Sequence, residues 1–227
     1  MTFKEFQKSL AEDGAEGELV KTIFVSLATS FAVLAILYLF RLRYIENFIP
    51  KYGFYLFFAI LSYSLILPSL RHVRAYKELP CMAGMMIGMT IGMISGFLAG
   101  FFVASTNGMF VGGVFGMLIG IVFGVLTGKC CGVMGIMEGI MSGFMGGLMG
   151  AMTSIMLLND HLKATSVIVF VIAGVILVGL NYLIHKETRE IERRHRDSNL
   201  FTISWSFALT VITIVLMVFG PRSALFQ

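Results

Sequence analysis

The chain has 227 residues, of which 57% are hydrophobic and only 13% charged, and its mean hydropathy is +0.88. Soluble chains carry about 25% charged residues, so a water-facing surface cannot be built from this composition and an integral membrane protein is expected. The formal net charge of +4 sits in short connectors, where it reads as membrane orientation and not as a nucleic-acid surface.

In chain order, residues 1–19 are polar, with Phe3, Phe6 and Leu10 at helical spacing, and are expected to form a cytoplasmic amphipathic segment lying on the membrane. Residues 20–80 make a two-span hairpin. Its first span, Thr22 to Phe40, is long enough to cross a hydrocarbon core of about 30 Å. A connector follows in which Arg41, Arg43 and Lys51 flank the interfacial aromatics Tyr44, Phe48 and Tyr52. The second span is Gly53 to Leu70, with Pro68 near its end, and the basic stretch from Arg71 to Glu78 reads as the next connector.

Residues 81–158 carry three further spans, Cys81 to Ala104, Met109 to Thr127 and Val133 to Leu158. They contain nearly all of the Met and most of the Gly. Glycine recurs every four residues in each, and residues four apart share a helix face, so each span presents a groove into which another backbone can settle. Gly88, Gly92, Gly112, Gly116, Gly120, Gly139 and Gly143 are the expected packing positions. The joints Ser105-Thr106-Asn107-Gly108 and Gly128-Lys129-Cys130-Cys131-Gly132 are short, which makes consecutive helices antiparallel neighbours. Residues 159–227 then supply a sixth span, Ala164 to Ile184, a charged cytoplasmic loop at 186–199 with Glu190/Arg194 and Glu192/Arg196 in the favourable order for an exposed helix, and a seventh span, Phe201 to Phe219. The fold class is therefore all-α, a polytopic bundle of about seven transmembrane helices around a Gly/Met-rich three-helix core.

Counting Lys and Arg on alternate sides gives twelve on the side of the N-terminus and five on the other. That bias places the N-terminus in the cytoplasm and the C-terminus outside, in the plasma membrane as the expected location. All three cysteines, Cys81, Cys130 and Cys131, then fall at the cytoplasmic level, where thiols stay reduced and suit metal ligation better than disulfides. The plain alternative is that they are small hydrophobes near helix ends.

In the fifth span Met137, Met141, Met145 and Met149 repeat every four residues on the face opposite the glycines. Methionine fills irregular gaps beside small residues, and its thioether is also a soft donor that, with thiolate, selects Cu(I). Glu138 is the only acid inside the Gly/Met region, and a carboxylate at membrane depth costs about 2.5 to 3.5 kcal/mol on insertion scales. It belongs to the Met face, with Met134, Met141 and Met145 nearby. It either faces a path or snorkels to the headgroups. Asp160 and His161, in the outer turn, are a lesser candidate for cation capture.

No nucleotide loop, zinc-protease helix, Gly-x-Ser-x-Gly elbow or Cys-x-x-Cys pair is present, no histidine sits mid-span, and catalysis is not expected. The vicinal Cys130-Cys131 pair near a helix end resembles that of small bacterial mercury-uptake membrane proteins, and the Gly repeats resemble those of glycine-zipper proteins. Each likeness covers a few residues or a composition, and assigns no family. Two functions stand open at this point. One is transport or handling of a soft metal ion, most plausibly Cu(I), with Cys81, Cys130 and Cys131 as an inner site and Met134, Met137, Glu138, Met141 and Met145 lining a path. The other is a non-catalytic structural or accessory membrane protein. Besides the lipid bilayer, the expected partners are such an ion and further copies of the chain or subunits of a membrane complex. No nucleic acid is expected.

Overall fold

A computed structural model describes residues 17–40, 52–74, 80–187 and 199–221, with the side chains of 17–20, 40, 130 and 199–201 excepted. Of the amphipathic segment expected at 1–19, residues 17–19 open α1 and the rest lies outside the described residues, as do the connectors at 41–51 and 75–79 and the two acid–base pairs of the charged loop. The described residues form seven α-helices: α1 (Gly17–Phe40), α2 (Phe54–Arg74), α3 (Cys81–Asn107), α4 (Met109–Gly128), α5 (Gly132–Met156), α6 (Leu162–Glu187) and α7 (Asn199–Phe219). Each is long and apolar enough to cross a membrane, and no strand occurs among the described residues. The chain is an all-α, polytopic membrane bundle.

Helices α3, α4 and α5 pack on one another along their whole lengths, because glycine removes the side chains that would hold them apart. A Cβ placed on Gly116 would lie 2.7 Å from the Gly100 Cα, and one on Gly120 would lie 2.8 Å from both the Gly143 Cα and the Gly92 carbonyl oxygen. Gly88 faces Gly128, Gly92 faces Gly124 and Gly139, and Gly112 abuts Ala104. Most contacts are backbone against backbone, with the Ser142 hydroxyl beside Gly92 and the Ala104 methyl beside Gly112, so the centre of this three-helix unit is closed. Packing of this kind is how helices associate where lipid removes the hydrophobic drive.

The two joints inside this unit are tighter than their sequences suggest. Ser105, Thr106 and Asn107 continue α3, and the Ser105 and Thr106 hydroxyls are satisfied within it, donating back to the carbonyls of Phe102 and Val103 at 2.6 and 3.0 Å. The turn into α4 is thus made by Gly108 alone, at φ 106°. Asn107 closes a second account: its side chain is buried and donates 2.6 Å to the Leu216 carbonyl in the last turn of α7. The other joint is a 3-10 turn, Lys129–Cys131, followed by Gly132 at φ 67°. A side-chain-bearing residue reaches that backbone region only with strain.

The remaining helices surround the core with ordinary side chains. Phe58 of α2 stacks on Phe102 of α3 at 6.4 Å, and Trp205 of α7 sits edge-on to Phe123 of α4 at 5.4 Å. Helix α6 touches α2 and α3, and turns a continuous Val/Ile surface outward.

Candidate functional site

Two regions carry chemistry. The first lies at the end of the bundle where α3 and α5 begin. The Cys131 thiol donates 3.2 Å to the carbonyl oxygen of Cys81, so two of the three cysteines meet across the α3–α5 seam, and neither is in a disulfide. Cys81 is exposed and Cys131 half-buried; the Cys130 side chain lies outside the described residues.

The register of α3 against α5 continues this seam into the membrane. Gly146 packs on the backbone of Met93 and Gly150 on that of Phe97, both 53 residues apart, so the two helices run parallel in fixed register. That register brings Glu138 to the level of Met85. Eight residues before Gly146, Glu138 stands about 80° round the helix from it, on the flank of α5 beside α3. There it is half-buried. On the neighbouring edge of α3, Met82, Met86 and Met89 are exposed. By this register Met134 and Glu138 lie along the same flank as Cys81 and Cys131, and the three exposed α3 methionines, which the sequence pattern alone assigns to no site, line its other edge. Their spacing of four and three residues, the signature of one helix face, is the signal that identifies them.

Met137, Met141 and Met145 are placed differently from a channel lining. All three are more than half exposed on the outer surface of α5, and the glycine-packed centre leaves no passage between α3, α4 and α5. Whatever these thioethers serve, they serve it at the surface of a single copy. Among the described residues no three Cys, His, Asp or Glu side chains come together as a metal cluster.

The second region is a buried polar column at the same end, built by α1, α2, α6 and α7. Thr22, Ser26 and Ser30 on α1 and Thr202, Ser206 and Thr210 on α7 each form a four-residue stripe, and all six are buried. Ser206 lies 2.7 Å from Ser30 and 3.0 Å from Thr29, and donates 3.2 Å to the Ser26 carbonyl; Thr210 donates 3.1 Å to Ser30. Ser26 with Ser206 and Ser30 with Thr210 are both 180 residues apart, so α1 and α7 also run parallel in locked register. Further along, the Tyr63 hydroxyl meets Thr213 at 2.9 Å.

At the column's base two residues depart from expectation. Arg71 and His72, expected in a solvated connector, lie in the last turn of α2 and are buried. The reason is local: the Arg71 guanidinium donates to Thr22 Oγ1 at 3.1 Å, and His72 Nδ1 lies 3.4 Å from Asn181 Oδ1, whose amide nitrogen donates 3.0 Å to Ser69. Polar partners on three helices make room for both side chains inside the bundle, as burying polar groups requires.

At the opposite end, His161 and Asp160 are exposed and 4.0 Å apart, a loose pair in an open turn.

No protein-family model, curated protein or solved structure matches this chain. Its chemistry rests on its own residues.

Proposed function

We propose that this protein handles a soft metal ion, Cu(I) foremost, at the sulfur-lined seam between α3 and α5. The observation that carries the reading is the meeting of Cys131 with Cys81 at the mouth of a surface on which Met82, Met86, Met89, Met134 and Glu138 follow. Thiolate and thioether are the donors Cu(I) prefers, and a thiol releases its proton on binding. Methionine sulfur holds the ion without the charge that would trap it, and Glu138 supplies one negative charge partway along. The reading includes the cysteine end facing the cytoplasm. Labelling from the two sides should then reach Lys186→Cys only from within and His161→Cys only from outside.

The test is competition for Cu(I) between the reduced, purified protein and a chromophoric chelator. Wild type should compete. Cys81→Ser with Cys131→Ser should weaken binding by about tenfold or more, or about 1.4 kcal/mol. Glu138→Gln should leave binding nearly intact while slowing silver or copper flux into vesicles. Protein that binds no Cu(I), Ag(I) or Hg(II) above a Cys-free control overturns the reading. The closed centre of α3, α4 and α5 favours the second reading, a structural or accessory membrane protein, and that same result would leave it standing.

A further inference from the structure

The joint between α4 and α5 turns back onto the start of α3, and the packing on both sides fixes how its sulfurs meet. Cys81 stands seven residues before Gly88, which puts both within about 20° of one helix face. Gly88 packs on the backbone of Gly128, the residue that opens the 3-10 turn Lys129–Cys131. The Cys81 Cβ therefore leaves α3 on the side of that turn. From the other side, the Cys131 Cβ lies 3.0 Å from where a Cβ on Gly135 would be, folded over the first turn of α5. The Cys131 sulfur then reaches the Cys81 carbonyl oxygen at 3.2 Å, and both thiols are free.

The helices that carry the pair cannot drift apart. A Cβ on Gly92 would lie 3.2 Å from the Gly139 carbonyl oxygen, and one on Gly96 would lie 2.9 Å from that of Gly143, so α3 and α5 stay at backbone contact. The joint itself is different in kind. Gly132 turns the chain at φ 67° and has nothing within 4 Å of a Cβ, and glycine moves easily between such conformations. Anchored helices hold the thiols together, and a compliant turn supplies the adjustment needed to place Cα atoms in the range of about 4.4 to 6.8 Å that a disulfide spans. Cys130 is a poor partner for Cys131, because consecutive Cα atoms across a trans peptide are about 3.8 Å apart, short of that range.

We infer that Cys81 and Cys131 form a reversible intramolecular disulfide, driven by the disulfide of a small thiol such as glutathione. The exposed Cys81 sulfur, after losing its proton, attacks one sulfur of glutathione disulfide, whose S–S bond breaks. One glutathione leaves as a thiolate and takes up a proton. The Cys131 sulfur, likewise deprotonated, attacks the Cys81 sulfur of the mixed disulfide and expels the second glutathione. Two protein thiols thus lose two electrons and two protons, and glutathione disulfide gains them as two thiols. The second step joins groups already held side by side, which favours it over attack by a free thiol. The consequence for the ion rests on the metal reading. A disulfide offers no thiolate, so oxidation removes both cysteines from the mouth of the α3–α5 seam together, and excess thiol restores them.

The test is to treat the purified, reduced full chain with glutathione disulfide, quench with N-ethylmaleimide and map the peptides by mass spectrometry. The expected product is a Cys81 peptide joined to a Cys131 peptide, reversed by dithiothreitol and retained in Cys130→Ser. Moving the thiol one residue along α3, with Met82→Cys on Cys81→Ser, should lower the joined fraction by about tenfold and leave glutathione adducts in its place. Adducts without a joined pair in wild type, a bond between Cys130 and Cys131, a bond between two chains, or equal joining from position 82 would overturn the inference. The oxidised chain should also hold Cu(I) about tenfold more weakly than the reduced chain; equal affinity would remove the disulfide from control of the ion. The two readings fail separately. A joined pair in a chain that binds no Cu(I) defeats only the metal reading, and Cu(I) binding by a chain whose Cys81 and Cys131 never join defeats only the disulfide.

Discussion

The glycine-packed core and the hydroxyl-lined column use the same four-residue period to different ends. In α3, α4 and α5 the repeated residue has no side chain, and the helices are held by the closeness of their backbones; Gly143 packs against the backbone of Gly120 and Gly147 against that of Met117. Between α1 and α7 the repeated residue is Ser or Thr, and the helices are held by hydroxyls bonded across the gap, Ser206 to Ser30 and Thr210 to Ser30. A glycine stripe tolerates nothing larger, since any added atom meets backbone, which cannot turn away. A hydroxyl stripe tolerates loss, because each bond is worth little on its own in a membrane. The two regions should therefore fail differently when mutated.

The largest effect is expected at the core. Gly143→Leu or Gly116→Leu drives a side chain into facing backbone and should destabilise by about 3 kcal/mol or more, at the upper end of overpacking costs. In mixed-micelle unfolding monitored by circular dichroism this is loss of most of the folded fraction. Gly174→Leu, on α6, is the control. The nearest atom to a Cβ there is a methyl of Leu65, at the ordinary distance of 3.9 Å, so that variant should unfold close to wild type. If all three variants behave alike, the distinction between the core and the rest of the bundle fails.

A middle effect belongs to the column. Ser206→Ala removes the hydroxyl that Ser26, Thr29 and Ser30 share, and should cost about 0.6 to 1.7 kcal/mol, the range found for side-chain hydrogen bonds between membrane helices. The same unfolding assay reads it as a modest shift of midpoint. A loss as large as that of Gly143→Leu would mean the column bears load as the core does, and would blur the comparison. The smallest effect is expected for Tyr63→Phe, which deletes a single bond to Thr213 and keeps the ring in place. About 0.6 kcal/mol is the expectation there. A change several times larger would show that the phenol does more than close that bond.

How much of this was legible in advance differs between the regions for a physical reason. All seven spans were readable, since about twenty consecutive apolar residues have few other homes. So was the glycine period, because nothing competes with it in the pattern. Span ends were less so: Ser105 to Asn107 look like a loop by composition, yet they continue α3, with the Ser105 and Thr106 hydroxyls satisfied inside the helix and the Asn107 amide bonded to α7. Arg71 and His72 look like connector residues because charge usually marks the interface. Their burial depends on Thr22 and Asn181, which lie far away in the chain. The Thr22/Ser26/Ser30 and Thr202/Ser206/Thr210 stripes were visible as spacing, but only the fold shows that they face each other. For the sulfur seam, the cysteine level and the Met face of α5 were readable. That Met141 and Met145 look outward, and that Met82, Met86 and Met89 join the seam, follows from which flank of α5 meets α3.

The most direct measurement is copper X-ray absorption on the reduced protein loaded with Cu(I). The expected first shell is sulfur alone, with both thiolate and thioether contributions, and it loses sulfur when Met86 and Met134 are replaced by leucine. A shell of nitrogen or oxygen neighbours, or one unchanged by those replacements, would contradict it.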